Sequence, residues 1–270
     1  MNSNQRLGTR ERRRPVAARP DRALEAALAA GMVDVLFQPW IELKTGRIVG
    51  AEALARSSIE PDPAILFERA GRAGLAERLS RLVQSTALEQ AARWSGPLAD
   101  LGISLNLLPS EVAQDGHDDW LIEEMRRLGF DPGRLTIEIT EHALIVSGPA
   151  VLERLERLRS AGVTVALDDF GSGYASLDYL ANLPIDLIKI DRALVTGLVG
   201  GRRDRIVMKA MIRLAQELEI KTLVEGVEDA AQLALLHQWD CDLFQGFLGS
   251  AALDQTSLAR FVASAQSQAA

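Results

Sequence analysis

The sequence of 270 residues is 47% hydrophobic and 25% charged, with a net charge of −7, which is typical of a globular protein with a substantial core. It has no run of about 18 apolar residues, which argues against a membrane span, and its basic N-terminus lacks the apolar stretch of a secretory signal. The single cysteine, Cys241, excludes an internal disulfide and favours a reducing, cytoplasmic setting.

Positive charge is concentrated at the N-terminus. Residues 1–20 contain six arginines and one glutamate, so the rest of the chain carries a net charge of −12. Such an acidic body argues against a long nucleic acid as partner, whereas a small anionic substrate can bind if cations reverse the local field. We expect residues 1–20 to form a disordered arm, solvated rather than bound to nucleic acid or membrane, and residues 21–270 to form one folded domain.

The N-terminal part predicts a helix, a strand pair and a longer helical region. The first strand is expected to stop at Pro39, and a turn containing Gly46 separates it from the second. The long helical region is expected to break at its glycines. The predicted ranges are 22–30 for the helix, 35–38 and 48–54 for the strands, and 64–94 for the helical region, with its break at 71–74.

Strands and helices alternate through the rest of the chain, which predicts a parallel sheet covered by helices. With the two early strands the count is eight, the number that closes a (β/α)₈ barrel over residues 21–270. The early strand pair resembles a hairpin, so one strand is expected to run antiparallel. The later strands are predicted at 103–107, 135–139, 163–167, 187–190, 222–224 and 242–244, and the helices at 110–128, 149–161, 174–181, 203–218 and 230–239.

Polar residues fall at the ends of these predicted strands. In a closed parallel barrel the carboxyl ends share one rim, so side chains from distant parts of the sequence converge there. Carboxylates on so many strands are costly unless they are paired or bind metal. Any one of them has an ordinary structural explanation, but the collective pattern favours a site. The residues are Glu52, Asn106, Glu138, Asp168, Asp169, Lys189, Asp191, Glu225 and Gln245.

This composition indicates two-metal phosphoester chemistry. Oxygen ligands without clusters of Cys or His favour Mg²⁺ or Mn²⁺ over zinc, and the carboxylates suffice for two such cations. Lys189 is expected to orient water or to neutralise a phosphoryl oxygen, and Glu225 to act as general base or metal ligand. Arg56, shortly after Glu52, is placed to clamp a phosphate oxygen.

The same residues carry a resemblance to the EAL-type cyclic di-GMP phosphodiesterases. The chain has the signature Glu52-Ala53-Leu54-Ala55-Arg56, and the further motifs occur in the order typical of that family. These motifs are Ser104–Leu107, Ile137–Glu141, Asp168–Leu177, Ile188–Asp191, Glu225–Glu228 and Gln245–Phe247.

The resemblance implies a modified (β/α)₈ barrel that hydrolyses cyclic di-GMP to linear pGpG with two divalent cations. It implies that Glu141 anchors the loop after Asp169 and that Glu228 is a less certain metal ligand. It implies catalytic roles for Lys189 and Glu225, and substrate contacts for Gln38, Arg56, Asp191 and Gln245. The metal ligands would be Glu52, Asn106, Glu138, Asp168, Asp169 and Glu225, with Asp168 bridging the two metals.

Some positions depart from the family pattern. Ser57 replaces an aromatic residue, segment 58–63 is short, the tail after Phe247 lacks its proline, and Trp40 replaces a smaller aliphatic. We expect these changes to line the substrate cleft and to alter affinity more than chemistry. The alternative function is a catalytically silent cyclic di-GMP receptor, but no ligand, lysine, base or loop glycine is missing. The resemblance also implies that segment 174–180 couples the active site to a homodimer interface, although an apolar helix face packed on the barrel would explain this segment equally well.

Overall fold

A computed structural model describes residues 19–141, 143–144, 149–171, 180 and 183–269. In these residues, eight strands close into a barrel surrounded by helices. The strands are β1 Val33–Glu42, β2 Ile48–Ser57, β3 Gly102–Asn106, β4 Leu135–Thr140, β5 Thr164–Phe170, β6 Leu187–Ile190, β7 Lys221–Val224 and β8 Leu243–Phe244. The helices are α1 Arg22–Ala29, α2 Pro63–Ala73, α3 Ala76–Ala92, α4 Pro109–Ala113, α5 His117–Leu128, α6 Pro149–Ser160, α7 Arg192–Thr196, α8 Arg202–Glu217, α9 Ala230–Gln238 and α10 Gln255–Ala269.

The strands follow the barrel in sequence order. β1 runs antiparallel to both of its neighbours, β2 and β8, and every other pairing is parallel. The predicted (β/α)₈ barrel with one antiparallel strand is therefore confirmed. Because β2 to β8 are parallel, their carboxyl ends meet at one mouth of the barrel. None of the helices among the described residues has the length and apolar character needed to cross a membrane.

The prediction that β1 stops at Pro39 is wrong. Pro39 lies inside the strand, opposite Ala51 of β2. The amide of Phe37 points away from β2 and donates to the carbonyl of Leu253. In an antiparallel ladder the backbone nitrogen two residues later faces the same way. Pro39 therefore faces the side on which β1 meets β8 only at Ile41 and Glu42, where a missing N–H breaks no ladder bond.

One helix boundary differs from the prediction and another agrees with it, and both lie at a glycine. The helix predicted over 110–128 is two helices, α4 and α5, separated where Gly116 adopts a φ of +85°. The expected break near 71–74 falls at Gly74, which ends α2 in the left-handed conformation with a φ of +71°. Glycine adopts this conformation without steric cost.

Two of the predictions fall largely on residues outside the described part of the chain. The N-terminal arm at 1–20 has only residues 19 and 20 described, and the helix at 174–181 and the proposed dimer segment have only Leu180 described. The disordered arm and the homodimer stay predictions.

Apolar side chains fill both the inside of the barrel and the layer between strands and helices. Most of the core lies in that outer layer, where for example Phe37 packs edge-on against Trp94. A smaller cluster contains the buried Trp40 with inward-facing residues of the later strands. Trp40 is only 5% exposed, so the expectation that it lines the cleft is wrong: its indole lies in the floor of the barrel. The other members of the cluster are Ala166, Leu187, Leu223 and Leu243.

His117, at the start of α5, is expected to make stability depend on pH. It is buried, and burial, followed by the nearby Arg81, lowers its pKa from 6.5 to about 4. The folded state therefore resists protonation of His117, which the unfolded state accepts below pH 6.5. We expect the contribution of His117 to the free energy of unfolding to fall by about 2–3 kcal/mol as the pH falls from 6.5 to 4, as measured by urea denaturation of the wild type and a His117 variant.

Two variants isolate this effect. His117→Gln should remove this contribution from the pH dependence, whereas His237→Gln should leave the contribution intact, because His237 is exposed on the surface of α9. Equal pH profiles for wild type and His117→Gln would contradict the assignment.

Candidate active site

The centre of the candidate site is Lys189, a lysine that is 1% exposed inside the mouth of the barrel. Its Nζ atom lies 2.6 Å from Glu138 Oε2 and 2.7 Å from Glu225 Oε1. Asp168 Oδ1 follows at 3.2 Å and Glu52 Oε2 at 3.6 Å. The closed barrel thus brings carboxylates of β2, β4 and β5 and of the loop after β7 around one ammonium group of β6, as the strand-end pattern predicts.

Glu52 is held at both carboxylate oxygens. Asn106, at the end of β3, donates from Nδ2 to Glu52 Oε1 over 2.8 Å. Gln245, which follows β8, donates from Nε2 to Glu52 Oε2, also over 2.8 Å. The other end of the Gln245 amide accepts a hydrogen bond of 2.9 Å from the indole nitrogen of Trp40. These hydrogen bonds therefore fix the orientation of the Glu52 carboxylate among the carboxylates around Lys189.

The Asp168-Asp169 pair does not follow the end of a strand, as predicted for 163–167, but lies within β5. Neighbouring side chains of a regular strand point to opposite faces. Here the pairing with β6 is irregular between Leu167 and Phe170, and Asp169 has a φ of +56°, a conformation that Asp tolerates better than most residues. At this bulge Asp168 lies 3.2 Å from Lys189, whereas Asp169 is exposed.

The loop after β5 starts with a glycine whose backbone conformation disfavours a larger residue. Gly171 has a φ of +97°, and a Cβ atom there would lie 2.8 Å from Leu194 and 2.9 Å from Met211. The second glycine of this loop, Gly173, lies outside the described residues.

Burial and crowding of negative charge shift the acidities of the site. Burial, followed by the neighbouring Glu52, raises the pKa of Glu138 well above its ordinary value. Burial, opposed by Lys189 but reinforced by Asp168 and Glu52, raises the pKa of Glu225 to about 7. Burial also disfavours ionised Glu52, but Lys189 and the hydrogen bonds from Gln245 and Asn106 outweigh it and lower the pKa of Glu52.

Lys189 itself stays protonated. Burial favours its neutral form, but the surrounding carboxylates, led by Glu138, dominate and raise its pKa well above 10.5. The site therefore contains one fixed positive charge among several acidic groups. When all of these are ionised, the negative charge exceeds the positive charge.

The donor set fits divalent cations in charge and ligand type. One lysine cannot neutralise the carboxylates around it, and the buried Oε1 atom of Glu138 has no hydrogen-bond partner. Carboxylate and amide oxygens are the ligands that Mg²⁺ and Mn²⁺ prefer. Within the described ranges, however, no three Asp, Glu, His or Cys side chains form a ready metal-binding group. Lys189 lies among the oxygens instead, so metal binding requires side chains of the site to reorient.

The other predicted site residues lie at different distances from this cluster. Gln38 is the cross-strand partner of Glu52, and its side chain donates to the carbonyl of Ser250. Arg56 is half-buried further along β2, and Asp191 caps the start of α7 by accepting from the amide of Ala193. All three border the mouth of the barrel.

Glu141 and Glu228 differ in burial. Glu141 is buried immediately after β4, while most of the loop that it would anchor lies outside the described residues. Glu228 is exposed and its backbone amide bonds to Gln232. Nothing in the described structure brings the Glu228 carboxylate into the Lys189 cluster, so its part as a metal ligand stays a prediction.

Sequence reasoning missed the buried polar groups that support Asn106. Gln84 of α3 donates to the carbonyl oxygen of Asn106, and to Glu111 of α4. Glu111 also accepts from the amide of Leu108 and the hydroxyl of Ser80. In the sequence, these polar residues resemble ordinary surface residues of two helices. The sequence offered one signal for this network, the short separation between Asn106 at the end of a strand and Glu111, which lets the Glu111 side chain fold back toward Asn106.

The comparisons with known proteins agree with this geometry. The profile of the EAL domain family matches residues 21–252. Among the curated relatives, the cyclic di-GMP phosphodiesterase NbdA of Pseudomonas aeruginosa is 32% identical over 250 residues, which cover 88% of this chain and 31% of that protein. The chain spans about 30% of the length of the curated relatives that it matches.

Two solved structures have the same fold. The phosphodiesterase MucR of Pseudomonas aeruginosa, in complex with cyclic di-GMP, has a TM-score of 0.83 and 31% identity, covering 88% of this chain and 98% of that chain. BlrP1 of Klebsiella pneumoniae, in complex with manganese and cyclic di-GMP, has a TM-score of 0.74 and 30% identity, covering 82% of this chain and 56% of that chain.

Proposed function

Because the chain belongs to the EAL domain family, we propose that it is a cytoplasmic, metal-dependent phosphodiesterase that hydrolyses cyclic di-GMP to linear pGpG. The observation that carries this proposal is the group of four carboxylates around the buried Lys189. Relatives named as cyclic di-GMP phosphodiesterases, and solved relatives with cyclic di-GMP bound, support the same substrate.

The cations are Mg²⁺ or Mn²⁺, with two per site in our proposal. Bound divalent cations lower the pKa of water and so make a nucleophile available near neutral pH. Two of the proposed ligands, Asp168 and Asp169, are neighbours in the bulged part of β5, where Asp169 has a positive φ. The proposed ligands are Glu52, Asn106, Glu138, Asp168, Asp169 and Glu225.

Glu225 and Lys189 perform the proton and charge chemistry. With a pKa of about 7 before metal binding, Glu225 is suited to accept a proton from the attacking water near neutral pH. Lys189 stays protonated and neutralises charge on a phosphoryl oxygen. The water oxygen bonds to phosphorus, the bond from phosphorus to the 3′ oxygen breaks, and that oxygen takes a proton, which leaves the 5′-phosphate of pGpG.

Gln38, Arg56, Asp191 and Gln245 contact the substrate in this proposal. Arg56 presents a planar guanidinium, which suits a phosphate oxygen. Its NH1 group donates to the carbonyl of Ala55, which leaves further N–H donors of the fork for a ligand.

The second candidate is a receptor that binds cyclic di-GMP without turnover. The position of Lys189 favours the receptor in one respect, because its ammonium group lies among the oxygens that would bind cations. Against it, every carboxylate, the amide, the lysine and the base expected of an active enzyme are present.

A turnover assay separates the two. The purified chain is incubated with cyclic di-GMP and with Mg²⁺, Mn²⁺ or EDTA, and the products are separated by chromatography. We expect pGpG with either cation and none with EDTA. Tight binding by calorimetry without turnover under both cations would favour the receptor, and neither binding nor turnover would contradict both candidates.

A further inference from the structure

Trp40 lies in the floor of the barrel, directly below the carboxylate site. Its indole packs among inward-facing aliphatic residues of β5 to β8 and is 5% exposed. Its cross-strand partner is Gly50, where a Cβ atom would lie 3.0 Å from the indole ring. The absence of a side chain at Gly50 thus makes room for a ring of this size inside the barrel.

The polar edge of this indole points to the site. Trp40 Nε1 donates to Gln245 Oε1 over 2.9 Å, and Gln245 Nε2 donates to Glu52 Oε2 over 2.8 Å. Gln245 is itself only 5% exposed. A continuous chain of buried hydrogen bonds therefore runs from the apolar floor to a carboxylate of the Lys189 cluster.

Only one orientation of the Gln245 amide suits both neighbours. An indole nitrogen can only donate, and an ionised carboxylate can only accept. A flipped amide would place its NH₂ against the indole N–H and its oxygen against the carboxylate, so both contacts would become repulsive. Trp40 therefore selects the orientation in which Gln245 donates to Glu52.

We propose that Trp40 is a positioning residue, which fixes Glu52 for cation binding by orienting the amide of Gln245. The part of this inference that concerns cations rests on the proposed function, whereas the orientation of Gln245 does not. Trp40 acts through one hydrogen-bond donor, its indole nitrogen. A phenylalanine would fill much of the same space but could not donate this hydrogen bond.

Trp94 offers a matched control. It is buried to a similar degree, at 6% exposure, but its indole nitrogen has no hydrogen-bond partner and its ring packs against Phe37 in the outer layer. Trp94→Phe and Trp40→Phe remove the same atoms from a buried position. They differ in whether a hydrogen bond toward the site is lost.

The first test measures Mn²⁺ binding without substrate, by the electron paramagnetic resonance signal of free Mn²⁺. We expect Trp40→Phe to weaken binding by about 3- to 10-fold, the range of one buried hydrogen bond, and Trp94→Phe to leave it unchanged. In a Gln245→Met background, Trp40→Phe should have no further effect. Equal affinities of the two tryptophan variants, or an undiminished effect in the Gln245→Met background, would overturn the proposal.

The second test needs neither cation nor turnover. In a ¹H–¹⁵N spectrum, the indole N–H signal of Trp40 should exchange slowly with solvent, and Gln245→Met should accelerate that exchange while the signal of Trp94 keeps its rate. An unchanged exchange rate of the Trp40 indole N–H in Gln245→Met would refute the proposed orientation of the Gln245 amide. Because Gln245→Met keeps Trp40 in the barrel floor, this test holds even if Trp40→Phe fails to fold. If wild type binds no Mn²⁺, the proposed function fails while this second test still decides the role of Trp40.

Discussion

Glu52→Ala is expected to reduce turnover of cyclic di-GMP by about 10³-fold or more, the scale of loss seen when an essential group of a catalytic unit is removed. The carboxylate accepts hydrogen bonds from Asn106 and Gln245 and lies 3.6 Å from Lys189. Its loss removes a proposed cation ligand and releases both amides. The measurement is the rate of pGpG formation at saturating Mn²⁺.

Two further variants identify the reason for the loss. Glu52→Gln keeps the shape of the side chain but removes its charge, so it should be nearly as inactive as Glu52→Ala. Asp186→Asn removes a carboxylate at the opposite end of the barrel, where Asp186 bonds to the amide of Val165 and pairs with Arg159. That variant should retain turnover, and substantial activity of Glu52→Ala would exclude Glu52 as an essential ligand.

Lys189→Met is expected to destabilise the protein without cations by about 3–5 kcal/mol, the usual cost of leaving a buried charge unpaired. Glu138 is 1% exposed and would lose the ammonium group that lies 2.6 Å away. For a protein of this size, that cost lowers the midpoint of thermal unfolding by roughly 10 °C. Turnover should also be lost, since the ammonium group proposed to neutralise charge on a phosphoryl oxygen would be absent.

Added Mn²⁺ should raise the unfolding midpoint more in Lys189→Met than in wild type, because the variant presents more uncompensated negative charge to the cation. Lys221→Met is the control, since Lys221 is exposed at the other end of the neighbouring strand β7. Its midpoint should change little, as for most surface substitutions. An unchanged midpoint in Lys189→Met would contradict the assignment of Lys189 as the main counter-charge of the cluster.

Both predictions depend on the same feature, the excess of negative charge around one lysine. Without a cation, burial together with this excess of negative charge raises the pKa of Glu138 and of Glu225, so that ionising these carboxylates costs free energy in the folded protein. A divalent cation relieves it, so metal binding and stability are linked. Scanning calorimetry with and without Mn²⁺ therefore reports on the site independently of turnover.

The sequence by itself determined the barrel and most of the chemical groups of its mouth. Apolar strand runs alternate with helical segments, and this local signal needs no knowledge of long-range contacts. Each polar residue, such as Glu138 or Lys189, lies at or near the end of an apolar run, and parallel strands bring such ends together. Helix ends at glycines such as Gly74 were visible to within a few residues for the same local reason.

Tertiary structure alone decided how those groups meet. Glu52 and Gln245 are 193 residues apart, and their contact exists only because β8 closes the barrel against β1. The direction of a strand side chain changes with a shift of one residue, so the bulge at Asp169 and the inward Trp40 could not be read from local patterns. Pro39 likewise fits inside β1 only because its neighbour on that side is short. Register and closure are properties of the whole sheet, whereas the sequence records only the period of each strand.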